Sequence, residues 1–159
     1  MSNHRSGRLH GAHKPASHIP RWLRPKLTPQ SLRDLGLAHW TNLDALATGQ
    51  GNPEIMWQIG GGLLTWWRVA TTIRQGEQEM AAQIDLFDRV VSHSLATGRV
   101  EWPTPEDYAL ARHGAAVMDV LAETVDAYTA LQAAIWAEDK VQRVAERKTT
   151  LQEVARCPN

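Results

Sequence analysis

The sequence predicts an all-α fold: a bundle of four or five helices around a central apolar helix, preceded by a disordered basic arm. Cap residues directly followed by proline, the usual start of a helix, stand at Thr28, Asn52 and Thr104. Apolar residues recur after each cap at spacings of three and four, the helical period. The stretch Pro53–Gln75 is apolar on every side, which is typical of a helix buried within a fold or covered by a partner.

The composition suits one globular domain. The 159 residues are 43% hydrophobic and 21% charged, and seven tryptophans stand against one Phe and two Tyr. Trp fills cores and anchors interfaces. The lone Cys157 cannot form an internal disulfide, no apolar run approaches a membrane span, and the N-terminus lacks the apolar block of a signal peptide. We therefore expect a cytoplasmic protein without membrane contact.

The charge is split between the arm and the body. Residues 1–28 contain six Lys or Arg and no acid, a formal charge of +6, whereas residues 29–159 contain 11 basic and 17 acidic residues, which gives −6. We expect residues 1–25 to be a disordered arm and residues 26–159 a helical domain. Such an arm is typical of contact with DNA phosphates; a solubilising tail and an organelle-type leader are the alternatives. The predicted nucleic-acid contacts are Arg5, Arg8, Lys14, Arg21, Arg24, Lys26 and Arg74.

The first helix is predicted to begin after Thr28 and to end at Gly49 and Gly51. Its apolar stripe is Leu32, Leu35, His39, Leu43 and Leu46. In the central helix Ile55, Ile59, Leu63, Trp66, Ala70 and Ile73 share one side, and Trp57 and Leu64 point the opposite way. Gly60, Gly61 and Gly62 at its middle indicate either a close crossing of another helix or a break.

A third helix is predicted from Gly76 to Thr97, where Gly98 stops it, and a fourth opens at Thr104-Pro105. The stripe of the fourth helix continues through Tyr128, Leu131 and Ile135 without a clear break before Pro158. Alternatively, a separate fifth helix starts near residues 136–139. The sparse apolar residues from about residue 138 predict a narrow seam against one partner helix, of this chain or of a second copy, so this segment could protrude from the bundle.

The region 66–83 resembles a helix-turn-helix in its spacing. Ala70 stands at the small buried position, Arg74 at the turn position that needs a positive φ, and Met80 at the apolar position of the second helix. Arginine is a poor turn residue, and the acids of the second helix would repel phosphate. An ordinary helix pair is therefore favoured over a recognition helix.

The titratable residues form no evident catalytic site. His39 and His113 lie on or beside apolar stripes, and no Ser, Cys or carboxylate falls at a spacing that would pair with them locally. The four histidines of the arm lack a carboxylate or thiolate partner, so neither a metal nor another cofactor is expected. The acids that we predict to be solvent charges are Asp85, Asp88, Asp119, Glu123 and Asp126.

One resemblance covers about residues 26–135. The runs LTPQSLRDLGLAHWTNLDALATG, MWQIGGGLLTWWRVA, TGRVEWPTPEDYALARHG and VMDVLAETVD look like small proteins of proteobacterial plasmids and conjugative elements. Some of these are described as Fis-like transcriptional regulators, and the resemblance implies DNA binding. It also implies a glycine at the turn where this chain has Arg74, a departure that weakens the helix-turn-helix match here.

The leading functional prediction is a non-enzymatic DNA-associated or regulatory protein of a bacterial mobile element, acting through the basic arm. The alternative is a protein-binding helical adaptor or inhibitor, monomeric or dimeric, whose Trp-rich face fills a groove on a partner. An enzyme that uses His39 or His113 is a third class. The predicted protein-interface residues are Trp57, Leu64, Trp67, Val141, Val144 and Leu151.

Overall fold

The computed structural model describes residues 20, 23–147 and 150–156, and these residues form six helices. The helices are α1 (Pro29–Ala47), α2 (Pro53–Ile73), α3 (Glu77–Thr97), α4 (Pro105–Thr124), α5 (Ala127–Arg147) and α6 (Leu151–Arg156). The described residues contain no strand, and their one β-type contact is an isolated bridge between Lys26 and Asp126. The all-α prediction is confirmed.

Three helices begin where the cap-proline signals placed them. The side chains of Thr28, Asn52 and Thr104 accept a hydrogen bond from the backbone N–H three residues later, at 3.1, 3.0 and 3.1 Å. Each bond satisfies one of the N–H groups that a helix leaves unpaired at its start, and proline at the first helical position has no N–H to satisfy. The starts of α1, α2 and α4 were thus readable from the sequence.

Helix α2 is the centre of the bundle and packs against each of the other five helices. It is unbroken through its three glycines, each of which faces a different neighbour. A Cβ atom on Gly60 would lie 3.0 Å from Phe87 Cζ of α3, one on Gly61 3.8 Å from Val141 Cγ2 of α5, and one on Gly62 3.3 Å from His39 Nε2 of α1. The prediction of a close crossing is confirmed for Gly60 and Gly62, where the missing Cβ lets a neighbour approach α2 closely.

The prediction that the fourth helix runs on past Trp136, or that a new one starts there, was wrong. Helix α4 ends at Thr124, and α5 begins two residues later, at Ala127. Asp126 makes this start, because its Oδ1 accepts the Thr129 N–H at 2.9 Å and its Oδ2 accepts the Thr129 hydroxyl at 2.7 Å. Tyr128, Leu131 and Ile135 therefore belong to α5 and not to the stripe of α4.

The C-terminal segment does not protrude. Helix α5 runs antiparallel to α2, with Trp136 stacked on Trp67 and Val141 opposite Gly61. Helix α6 then folds back against α2, α3 and α5. The carboxylate of Asp88 accepts the N–H groups of Leu151 and Gln152 at 3.3 and 3.2 Å and so caps α6. The partner helix predicted for the segment after residue 138 is α2 of the same chain, with α6 also in contact with α5.

Candidate interaction surface

Residues 23–27, which we call the N-terminal strap, hold the start of α5 against the bundle. The Pro25 carbonyl accepts the Ala127 N–H at 2.8 Å, and Lys26 donates its Nζ to the Thr124 carbonyl. Arg24 lies 3.9 Å from Asp126 and places its guanidinium 4.8 Å from the centre of the Tyr128 ring. Leu23, Arg24 and Pro25, which the sequence analysis places in the arm, are therefore part of the folded body.

Two of the predicted nucleic-acid contacts thus have structural partners. Arg24 and Lys26 bind the corner between α4 and α5, whereas Arg74 is exposed at the end of α2. The other four predicted contacts, Arg5, Arg8, Lys14 and Arg21, lie outside the described residues. Any phosphate contact by the arm would depend mainly on those four cations, because Arg24 and Lys26 already serve the fold.

Asp126 is an essential part of this corner and not the solvent charge that we predicted. Burial alone would raise the pKa of Asp126, but the N–H and hydroxyl of Thr129 together with the Arg24 guanidinium hold it below its ordinary value. The carboxylate therefore remains charged in a nearly buried position. The spacing rule failed here because it assumed that the helix continued through Asp126.

Asp119 and Asp88 also differ from the prediction of solvent charges. Asp119 is half-buried and accepts the Trp40 indole N–H at 3.2 Å. Asp88, which caps α6, is half-buried, and its burial raises the pKa of Asp88 against the opposing effect of the two N–H groups it accepts. Asp85 and Glu123 are exposed, as expected.

Helix α5 buries two alanines against the bundle and leaves three large apolar residues exposed, while its Trp136 is half-buried against Trp67. Its buried positions are Ala133, Ala137, Lys140 and Val144. On the opposite side, Tyr128, Leu131 and Ile135 are 51, 56 and 54% exposed. These three, which we call the α5 stripe, recur at spacings of three and four and so form one continuous line along the helix.

The inversion of α5 has a geometric cause. Ala133 and Ala137 occupy the buried face of α5, where their small side chains let the α5 backbone lie close to the bundle. Tyr128, Leu131 and Ile135 lie on the opposite side of the helix and are exposed, whereas Trp136 at its flank stacks on Trp67. Fully burying an apolar side chain of this size stabilises by about 1.5–3 kcal/mol. Three such side chains exposed in two consecutive turns could therefore stabilise a complex in which a partner covers them.

Other helices of the described chain do not share this feature. Helices α1 to α4 each leave a single large apolar side chain exposed: Leu37, Trp57, Leu95 and Val120 respectively. Scattered single residues of this kind are normal on protein surfaces. The grouping of three on α5 is what distinguishes the stripe.

The predicted interface residues lie mostly inside the bundle. Leu64, Val144 and Leu151 are buried within the chain, and Trp67 and Val141 are half-buried in the contact between α2 and α5. They are not available to a partner, because α5 and α6 fold back over them. Trp57, which is 43% exposed, is the one predicted interface residue with a substantial free surface.

The sequence could have revealed the stripe through Asp126. An Asp three residues before Thr129 is a helix start signal, and it was overlooked because the apolar spacing runs across it. Even with the correct start, the pattern leaves the orientation of α5 ambiguous. Ala133 and Ala137 are weakly hydrophobic, so a periodicity argument places Leu131 and Ile135 inside.

His39 forms a structural cluster between α1, α2 and α4. Its Nε2 accepts the Trp66 indole N–H at 3.3 Å, and the two rings meet edge to face with centroids 6.2 Å apart. Burial lowers the pKa of His39, against a smaller opposing effect of the Asp119 carboxylate. A neutral ring that accepts a hydrogen bond is thereby favoured, and His113 lies on the exposed surface.

The corner between α2 and α3 meets the three local requirements of the helix-turn-helix spacing. Ala70 and Met80 are fully buried, and Arg74 adopts the left-handed conformation with φ 58°. The exposed face of α3 nevertheless carries Glu77, Glu79 and Asp85, and its Arg89 is paired with Asp107 at 2.9 Å. The spacing prediction is right about the turn, while the surface of α3 is poorly suited to phosphate.

Within the described part of the chain, no group of three or more His, Cys, Asp or Glu side chains is arranged to hold a metal ion. No helix in the same residues is long and apolar enough to span a membrane. Comparisons with models of protein families, with curated proteins and with solved structures find no match. The functional argument therefore depends on the chain's own surface.

Proposed function

We propose that this protein is a non-catalytic helical protein-binding module and that its binding surface is the α5 stripe. The observation that supports this most is the inverted packing of α5, which buries Ala133 and Ala137 and exposes Tyr128, Leu131 and Ile135. Exposed apolar side chains grouped on one face are a common mark of a protein-protein contact. Tyrosine is also among the residues that contribute most at such contacts.

The α5 stripe replaces the Trp-rich face as the proposed site. Of the tryptophans on α2, Trp66 is buried and Trp67 is stacked on Trp136 at a centroid distance of 5.9 Å. Only Trp57 leaves a large surface free, and it lies near the start of α2. A partner that used the tryptophans would have to displace α5, which forms an extensive contact with α2.

Site-specific photocrosslinking tests this proposal. A photoreactive amino acid is placed at Leu131 in the native host, and the same amino acid at Leu95, which is 83% exposed at the end of α3, serves as the control. We expect a discrete adduct from position 131 and none of the same mass from position 95. No adduct at 131, or the same adducts at both positions, would overturn the proposal.

Association with DNA, the property implied by the sequence resemblance, is the second candidate. Two features support it: the excess of basic residues before residue 23, and the helix-turn-helix spacing with a left-handed, exposed Arg74 at the corner of α2 and α3. The acidic face of α3 makes the arm the better source of phosphate contacts. In this reading the N-terminal strap anchors the arm to the helical body.

Fluorescence anisotropy with duplex DNA tests the second candidate. The comparison is between the full chain and a variant with Arg5, Arg8, Lys14 and Arg21 all changed to Gln, which keeps the N-terminal strap intact. With four phosphate contacts, the logarithm of the binding constant should fall with the logarithm of salt concentration with a slope of about −3.6. Equal binding by the variant, or no binding at low salt, would exclude the arm.

A further inference from the structure

We infer that the occupant of the α5 stripe is a second copy of this chain, paired antiparallel across a two-fold axis. This inference rests on the proposed function, because it names the partner of the same surface. It starts from the helical positions of the stripe. Tyr128, Leu131 and Ile135 are followed on the same face by the exposed Glu138, so that the spacing is three, four, three.

That spacing is the a/d pattern of paired helices. In an antiparallel pair, a residue at an a position packs against one at a d position of the other helix. With the two-fold axis between Leu131 and Ile135, Leu131 of each copy meets Ile135 of the other, and Tyr128 meets Glu138. The apolar residues thus bury one another, and the contact ends in a polar pair on each side.

The charges along the face favour this direction. At the end near Tyr128 the exposed cation is Lys26, since the Arg24 guanidinium over the Tyr128 ring is already paired with Asp126. At the opposite end Glu138 and Asp139 are both exposed, and Asp139 is paired with Arg143 at 3.0 Å, so Glu138 is the carboxylate that faces a partner. Antiparallel pairing brings Lys26 of each copy towards Glu138 of the other and lets the Tyr128 hydroxyl donate to the Glu138 carboxylate.

Parallel pairing lacks these advantages. It would place Glu138 against Glu138, and like charges in contact cost free energy. It would also bring the exposed Lys26 of one copy towards Lys26 of the other at the opposite end. The same surface therefore discriminates between the two directions, which makes the geometry of the pair testable.

The contact is small, so we expect a weak dimer. From Tyr128 to Glu138 the face is about 15 Å long, which places the contact at the low end of protein interfaces. We expect a dissociation constant of roughly 10–100 µM. Dimerisation should therefore be visible in the concentration dependence of the mass of the purified full chain.

Sedimentation equilibrium over a range of concentrations tests the dimer. Leu131→Glu introduces a charge at the centre of both copies and should weaken association by about 100-fold or more, while Leu95→Glu should leave it unchanged. Far-UV circular dichroism checks that both variants remain helical, and Ile135→Ser gives a second, milder change at the same contact. A monomer at every concentration, or a dimer unaffected by Leu131→Glu and Ile135→Ser, would overturn the inference.

Disulfide trapping tests the direction. In a Cys157→Ser background, Tyr128→Cys and Glu138→Cys chains are mixed under oxidising conditions. Antiparallel pairing predicts crosslinks between the two variants and few within each, and the reverse result would overturn the inference. A monomer whose position 131 is photocrosslinked to a different protein would refute the second copy but leave the proposed function standing; a monomer without any adduct would refute both.

Discussion

Helices α2 and α5 are both rich in apolar residues, but they differ in which of those residues they bury. Helix α2 is surrounded by its five neighbours, and its large side chains Leu63, Leu64 and Trp66 are buried. Helix α5 is covered on the side that carries Ala133 and Ala137, and Tyr128, Leu131 and Ile135 on its other side face solvent. The comparison teaches that the room available at a helix contact, as well as hydrophobicity, decides which residues are buried.

The largest expected difference between the two helices is the response to truncating a leucine. Leu64→Ala in α2 should lower the free energy of unfolding by about 2–5 kcal/mol, because Leu64 is fully buried and its loss leaves a cavity. Leu131→Ala in α5 should change it by less than about 0.5 kcal/mol at low protein concentration. Urea denaturation measures both, and similar losses would mean that the stripe is part of the core.

The corner that starts α5 should come next in size. Asp126→Ala removes the cap at Thr129 and the partner of Arg24, and should cost about 1–2 kcal/mol of unfolding free energy at neutral pH. Glu123→Ala, at an exposed position one turn earlier, is the control.

The contribution of Asp126 should also depend on pH in a definite direction. Because the folded pKa of Asp126 is lowered, its stabilising effect is fully present above the ordinary value and is lost as pH falls through the folded pKa. The difference in unfolding free energy between wild type and Asp126→Ala should thus shrink in acid. A difference that grows as pH falls would contradict the assignment.

The glycines of α2 provide a finer comparison, with opposite signs expected on adjacent residues. Gly60→Ala should destabilise by about 1 kcal/mol, because its Cβ would lie 3.0 Å from the buried Phe87 ring. Gly61→Ala should stabilise by about 0.5–1 kcal/mol, because its Cβ meets only Val141 at an ordinary 3.8 Å and alanine favours the helix. Thermal denaturation of the two variants gives the answer, and equal shifts would show that the crossing at Gly60 is looser than described.

The smallest effect concerns His39 beside α2. Burial lowers the pKa of His39 in the folded chain, so below the ordinary value of 6.5 the unfolded chain binds more protons than the folded chain. The free energy of unfolding should therefore fall as the pH drops from 6.5 towards the pKa of His39 in the folded chain. His39→Gln keeps an acceptor for the Trp66 N–H without this titration. The variant should therefore show a flatter dependence of unfolding free energy on pH over that window, and an unchanged slope would exclude His39 as its source.

Local signals in the sequence identified much of the fold. The caps at Thr28, Asn52 and Thr104 and the left-handed Gly98 each placed a helix boundary correctly, because such signals act within one turn of the chain. The break at Val125-Asp126 was missed, because an uninterrupted apolar spacing across it concealed the cap.

The candidate site was less predictable than the fold. The orientation of α5 depends on how closely α2 approaches it, which is a property of the whole bundle and not of the α5 sequence. For the same reason Leu64, Val144 and Leu151 were predicted at an interface and lie in the core. The basic arm could be recognised from charge alone, but the structural roles of Arg24 and Lys26 depend on a corner formed by residues about 100 positions later.

The most direct test of the outward-facing α5 stripe is the accessibility of its methyl groups in solution. Methyl NMR with a soluble paramagnetic agent compares Leu131 and Ile135 with Leu64 in dilute and in concentrated protein. We predict strong relaxation enhancement at Leu131 and Ile135 in dilute protein, reduced enhancement at high concentration, and protection of Leu64 throughout. Protection of Leu131 and Ile135 equal to that of Leu64 in the dilute monomer would contradict the account.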